Sequence, residues 1–184
     1  MKKLVKSNQF INTSFNLTNA SDFQNQTISS NNRQNNNSLK QYREYLLDLL
    51  LALDGIIQSP KYHPESDALY HSLQVFEWAF KETRDPELWL AALFHDIGKS
   101  VDSKSHCEIG AEMVSDIFPN RVVWIIKHHL DLMKNPKQTQ QKLANNNLLK
   151  DLVCIRRWDL AGRDPNATVR DVEEVLDLVL NKFG

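Results

Sequence analysis

LWLAALFHDIGKS, residues 88 to 100, is the segment from which the chain is best read. Asp85 and Pro86 stand before it as a helix entry, a capping side chain followed by proline at the first helical position. Every residue from Leu88 to Phe94 is apolar, so the helix offers no face to water and must be buried. It then delivers His95 and Asp96 side by side, with Gly98 placed to end it. An imidazole and a carboxylate buried without partners cost on the order of a few kcal/mol. A divalent cation suits both.

Towards the N-terminus, Tyr42, Leu46, Leu49, Leu50, Leu53 and Ile56 recur at helical spacing as far as Ser59-Pro60. A second helix is expected from about Asp67 to Lys81. Its polar arc of Tyr70, Gln74, Glu77 and Lys81 turns His71 inward with Val75 and Trp78. Asp67, four residues before His71, either caps this helix or holds the far ring nitrogen of the histidine. Residues 1 to 38 are dominated by Asn, Ser, Gln and Thr and offer little apolar surface to bury, which predicts a disordered tail. The folded domain is expected over 39–184.

Towards the C-terminus, Ser105 to Glu108 reads as a capping box opening a helix whose stripe is His106, Ile109, Met113 and Ile117. A helix over about 121–133 follows with His128 and His129. Adjacent residues diverge by about 100°, so only one of the two shares the stripe of Val122, Ile125 and Ile126, and spacing favours His129. Residues 134 to 145 read as a polar connection or loose helix. Over 148–161 the stripe Leu148, Leu152 and Ile155 is continued by a carboxylate, Asp159, which requires a partner. Thr168 and Asp171 open the last helix. No strand, hairpin turn or repeat is visible, so the fold class is all-α, a compact helical bundle.

The 184 residues suit one domain. A net charge of -1 and a pI near 6.6 exclude a broad basic surface for duplex nucleic acid. Cys107 and Cys154 fall on helices without a CxxC or Cys/His ligand spacing and read as reduced core thiols of a cytoplasmic protein. No segment approaches the roughly 20 apolar residues of a membrane span.

Several helices thus each offer an inward donor: His71, the His95-Asp96 pair, His106 with His128 or His129, and Asp159. Imidazoles and carboxylates together suit Mn, Fe, Ni, Co or Zn. A helical bundle can gather such groups round one centre. Taken by spacing alone, they fit a metal site and a set of structural histidines equally well.

The wording HPESDALYH, AALFHDIGK and the later Asp159 resembles the HD-domain superfamily of metal-dependent phosphohydrolases over roughly Tyr62 to Gly162. The resemblance implies an HD-type bundle in which His71, His95, Asp96 and Asp159 bind one divalent cation, with Asp96 able to bridge to a second. It also places His106 and the His128-His129 pair where some members hold that second ion. IRRWD is similar to the final motif of a branch with di-iron oxygenases of organophosphonates, whereas Lys99 within HDIGK is more typical of the hydrolases.

The leading expectation is a phosphohydrolase for a small phosphate ester or nucleotide, working by attack of metal-bound hydroxide. In it Asp96 and Lys99 are catalytic, and Arg156 and Arg163 bind the phosphate. A di-iron oxygenase acting on a phosphonate or polyol ranks second, and a regulatory binding module on the HD fold third. The partner expected is a phosphate-containing small molecule.

Overall fold

Pro86–Phe94 forms the helix read above, and Asp85 Oδ1 accepts the Glu87 amide at its start. Burial is continuous from Leu88 to Gly98. The structure is a computed structural model that describes residues 38–184. The expected tail over 1–38 lies outside the described residues except for Ser38, whose Oγ accepts the Lys40 amide at the first turn, Leu39–Tyr42.

The helices in order are α1 (Arg43–Leu51), α2 (Ala68–Glu82), α3 (Pro86–Phe94), α4 (His106–Met113), α5 (Asn120–His128), α6 (Asp131–Lys134), α7 (Pro136–Lys142), α8 (Asn147–Ala161) and α9 (Val172–Leu180). A 3-10 turn, Ile97–Ser100, follows the His95-Asp96 pair. The described residues contain no strand, only an isolated antiparallel bridge between Ile57 and Asp67. None of their helices is long and apolar enough to cross a membrane.

Helix α3 is central because it has no polar face to spare. It packs against α2, α5, α8 and α9, and Leu90, Phe94 and Ile97 share one core with Phe76, Ile125, Ile155 and Trp158. Trp158 is buried with its Nε1 donating to Glu82 Oε2 at 2.6 Å. Arg121 at the start of α5 reaches Asp151 of α8 at 2.9 Å, Asp85 at 2.7 Å and Glu87 at 3.1 Å. This half-buried network clamps α5 and α8 to the N-terminal end of α3, where carboxylates also favour the helix dipole.

Two glycines let backbones meet where the site is built. A Cβ on Gly98 would lie 2.2 Å from the His106 carbonyl oxygen and 2.7 Å from the Gly110 nitrogen. The turn after Asp96 is therefore pressed against α4. A Cβ on Gly162 would come within 2.8 Å of Val75 Cγ2, so the end of α8 can lie directly on α2.

Several local readings are corrected. α1 ends at Leu51, well before Ser59-Pro60. Gly55 turns the chain at φ 76, its N–H held by Asp67 Oδ2 at 2.7 Å, and the turn still buries Leu53. Apolar spacing persists there although the helix does not. Gln74, assigned to the polar arc, is buried and bonds both the N–H and the carbonyl of Asp164, whereas Trp78 lies at the surface. The Ser105 side chain makes no cap; instead Asp102 Oδ2 accepts the Ser105 amide. The buried face of α4 is His106, Cys107, Gly110 and Ala111, because the close approach to Gly98 demands small residues there. Asp171, not Thr168, caps α9.

Gly98→Ala is expected to lower unfolding stability by about 1–3 kcal/mol, since no backbone atom facing that Cβ can withdraw freely. Urea denaturation of the two proteins measures it.

Candidate metal centre

His71 lies in the first half of α2, His95 and Asp96 at the exit of α3, and Asp159 in the last turn of α8. All four are buried. His71 Nε2 stands 3.1 Å from Asp159 Oδ1 and 3.9 Å from Asp96 Oδ2, and His95 Nε2 stands 3.3 Å from Asp96 Oδ2. Donors bound at about 2.1 Å to one octahedral ion are separated by about 3.0 Å when cis and about 4.2 Å when trans. The observed separations fall within that span.

Backbone carbonyls set the tautomer of each ring. His71 Nδ1 donates to the Gly162 carbonyl and His95 Nδ1 to that of Ala92, both at 2.8 Å. His106 Nδ1 donates to Ser103 at 2.8 Å and His129 Nδ1 to Ile126 at 2.7 Å. A carbonyl only accepts, so the proton of each neutral ring sits on Nδ1 and the Nε2 lone pair is left for the centre. The Nε2 atoms of His71 and His95 are fully buried and have no hydrogen-bond partner. Two buried imidazole nitrogens converging on two carboxylates are a donor set that could hold a divalent cation.

The second oxygen of Asp96 faces another group. Oδ1 is 3.2 Å from His106 Nε2 and 3.7 Å from His129 Nε2, and these nitrogens are 3.3 Å apart. Asp96 thus stands between two donor sets, as a bridging ligand would.

The field of the site calls for cations. Burial opposes charge on His71, yet Asp159, Glu65 and Asp96 outweigh it and push its pKa up to about 9. Burial also opposes charge on His106, and Asp96 again prevails, raising it to about 10. His129, desolvated and facing His95, is lowered to about 3. Asp96 stays well below the usual carboxylate range despite complete burial, because His95, Lys99 and His106 surround it. Asp159 is lowered too, held by His71 and His95 against its own burial.

Above the donors opens a cavity of about 350 Å³ whose wall includes His95, Asp96, Asp159, Lys99 and Arg163. Lys99 Nζ bonds Asp96 Oδ2 and Gln58 Oε1, each at 2.5 Å. Arg163 Nη2 bonds Asp159 Oδ1 at 2.9 Å while Nη1 bonds the Tyr62 carbonyl at 3.0 Å. Two of the three cations read from the sequence, Lys99 and Arg163, are therefore at the site.

Arg156 is not: its Nη1 bonds the Leu132 carbonyl, and it lines a separate cleft with Arg157 and Leu160. Although it shares a face of α8 with Asp159, its long side chain is drawn off to the Leu132 carbonyl rather than into the cavity. His128 is likewise elsewhere, half-buried against Trp124 with Nδ1 on Asp131, so of the pair only His129 faces the centre. Asp67 caps α2 through the Tyr70 amide and does not hold His71.

Three residues at the site escaped the sequence reading. Glu65 is buried, with Oε1 2.7 Å from His63 Nδ1 and 2.8 Å from His71 Nδ1. His63 lines the cavity. Cys107 lies with its Sγ 3.6 Å from His106 Nε2 and 4.0 Å from His129 Nε2, in a His/Cys grouping that spacing alone did not reveal. The HPES loop carried the signal available for the first two, a histidine and a carboxylate two residues apart just before α2.

His71→Ala and Asp159→Ala are each expected to reduce bound divalent metal by about one equivalent, and His128→Ala to leave it unchanged. Elemental analysis of the purified proteins after dialysis checks this.

Comparison with known proteins covers the same helices. The HD domain family model matches residues 68–164. A multifunctional CCA protein of Hahella chejuensis (strain KCTC 2396) is 39% identical over 72 residues, covering 35% of this chain and 17% of that protein. The multifunctional CCA protein of Vibrio parahaemolyticus serotype O3:K6 (strain RIMD 2210633) is 28% identical over 138 residues, 61% of this chain and 34% of its own length. The chain thus spans about a third or less of the curated relatives it matches. The family match takes in more than half of the chain and includes His71, the His95-Asp96 pair, both second-group histidines and Asp159. The chain belongs to the HD domain family.

Proposed function

We propose that the chain is a metal-dependent phosphohydrolase acting on a small phosphate ester or nucleotide. The observation that carries this reading is the convergence of His71 Nε2, His95 Nε2, Asp96 Oδ2 and an Asp159 oxygen beneath a cavity walled by two cationic side chains. These four residues would hold a divalent cation, which would supply Lewis acidity and lower the pKa of a bound water.

The protein's own groups do the rest. Lys99 and Arg163 bring positive charge to where phosphoryl oxygens gain negative charge during in-line attack. Arg163 also fixes Asp159 through a hydrogen bond, and Lys99 fixes Asp96. Glu65 holds the ring of His63, which presents a polar edge to the cavity for a substrate oxygen. Tyr62, Leu130 and Met133 give the same cavity apolar wall, suited to the organic part of a small ester. In the CCA relatives the matching segment belongs to proteins named multifunctional, which suits a domain that carries an activity of its own.

A second reading, a di-iron oxygenase, is favoured by one observation: the His106 and His129 nitrogens gathered at Asp96 Oδ1. Two irons per chain with a mixed-valent electron paramagnetic resonance signal would select it over hydrolysis.

Metal-loaded protein is expected to release inorganic phosphate from p-nitrophenyl phosphate or from members of a nucleoside monophosphate panel, and chelation to abolish the release. Lys99→Ala should lower kcat by about 10²-fold with metal content retained, the loss typical of one charge-stabilising donor. Turnover indifferent to chelator, or none on any phosphate ester by the loaded protein, would overturn the proposal.

A further inference from the structure

The connection between α1 and α2 forms a fixed wall of the cavity. Ile57 and Asp67 pair as an antiparallel bridge, and the Gln58 N–H donates to the Ser66 carbonyl at 2.8 Å, which closes residues 58–66 into a loop. Within it the amides of Tyr62 and His63 return to the Ser59 carbonyl at 3.0 and 2.9 Å. Two groups of the loop hold the cations of the site: Gln58 Oε1 accepts from Lys99 Nζ, and the Tyr62 carbonyl accepts from Arg163 Nη1.

The next turn aims a ring at the cavity. Pro64 follows His63 at the position where a turn favours the fixed φ of proline, and the Ser66 N–H closes that turn on the His63 carbonyl at 2.9 Å. His63 and Glu65 are thereby set side by side, with Nδ1 2.7 Å from Oε1. The Glu65 carboxylate is wholly buried, and the His63 ring packs edge-on against His71 with centroids 4.8 Å apart. An ionised carboxylate only accepts, so the proton of the neutral ring lies on Nδ1 and Nε2 carries the lone pair. Among the described residues Nε2 has no hydrogen-bond partner, and the ring lines the cavity.

A phosphoryl oxygen is an acceptor, matched to Lys99 and Arg163, and has no proton to offer that lone pair. A hydroxyl has one. Because the ring rests on His71, a proposed metal ligand, the hydroxyl it meets belongs close to the ester group and not at the far end of the substrate.

We infer that His63 is a specificity-determining residue whose Nε2 accepts a substrate hydroxyl near the phosphate, so that the cavity selects polyol or sugar phosphates over plain alkyl phosphates. Glu65 acts through His63 as a positioning residue. The inference rests on the phosphohydrolase reading and narrows its substrate class.

The test uses the metal-loaded full chain, with glycerol phosphate and propyl phosphate as competitive inhibitors of p-nitrophenyl phosphate hydrolysis. Glycerol phosphate is expected to bind about 10-fold more tightly, the effect of one hydrogen bond at a half-buried position. His63→Phe keeps a ring but removes the acceptor, and should bring the two inhibition constants together. Glu65→Gln keeps an oxygen for Nδ1 and should retain most of the preference, whereas Glu65→Ala should lose it, with bound metal measured in each variant. Equal constants for the wild-type protein, or no inhibition by glycerol phosphate, overturn the inference without recourse to any variant. A preference that survives His63→Phe overturns it as well. In each of these outcomes p-nitrophenyl phosphate is still hydrolysed and the hydrolase reading stands, whereas a loaded protein that hydrolyses no ester fails that reading and takes this inference with it.

Discussion

The carboxylate of Asp96 is buried at the end of an apolar helix, and everything polar nearby is arranged around it. One oxygen faces His71 and His95, the other His106 and His129, while Lys99 approaches from the cavity side. An ionised carboxylate at that depth is tolerated only because cationic groups and ligand-type nitrogens surround it on both sides. The same requirement explains why α2, α4, α5 and α8 all direct a polar residue toward the exit of α3. Remove the charge on Asp96 and the reason for that convergence disappears.

Holding such a cluster demands control of ring orientation, which here comes from main-chain carbonyls. Three of them, of Ala92, Ser103 and Ile126, lie three residues before the histidine they hold, so helix and turn geometry alone supplies the bond. The fourth comes from Gly162, 91 residues away, and is reached only because the missing Cβ lets α8 lie on α2. The glycine contact between residues 98 and 110 does the corresponding work for the second group of donors. Backbone proximity therefore fixes the orientation of the side chains in both groups of donors.

The scaffold places its strongest surface electrostatics away from the cavity. Arg121 joins Asp85, Glu87 and Asp151 at the far end of α3, and Arg170 pairs with Glu77 while lying over the Phe80 ring at 4.3 Å. These contacts tie helices together without drawing on the cations near the centre. Lys99 and Arg163, by contrast, are bonded to the proposed ligands themselves, so their positions follow the state of the site. A division between cations that brace the bundle and cations that serve the pocket emerges from which carboxylate each one meets.

Local chemistry was legible in the residues: an apolar run with no polar face had to be the centre of the bundle, and a carboxylate continuing the stripe of α8 had to find a partner. Periodicity carried His71, Asp159 and the preference for His129 over His128, because a helix fixes which way a side chain points. It did not carry the end of α1, where Gly55 bends the chain while the apolar spacing continues, nor the buried Gln74, which is held by a loop 90 residues on. Nor did it separate Arg156 from Arg163 as candidates for a phosphate, since both lie within about a turn of Asp159 in the chain, and only packing sends the first to the Leu132 carbonyl and the second, past the end of α8, to Asp159 and the Tyr62 carbonyl. The placing of Glu65, His63 and Cys107 at the centre depended wholly on how helices pack, because distance between side chains from separate elements is set by crossing and close approach, quantities that no spacing along one element encodes.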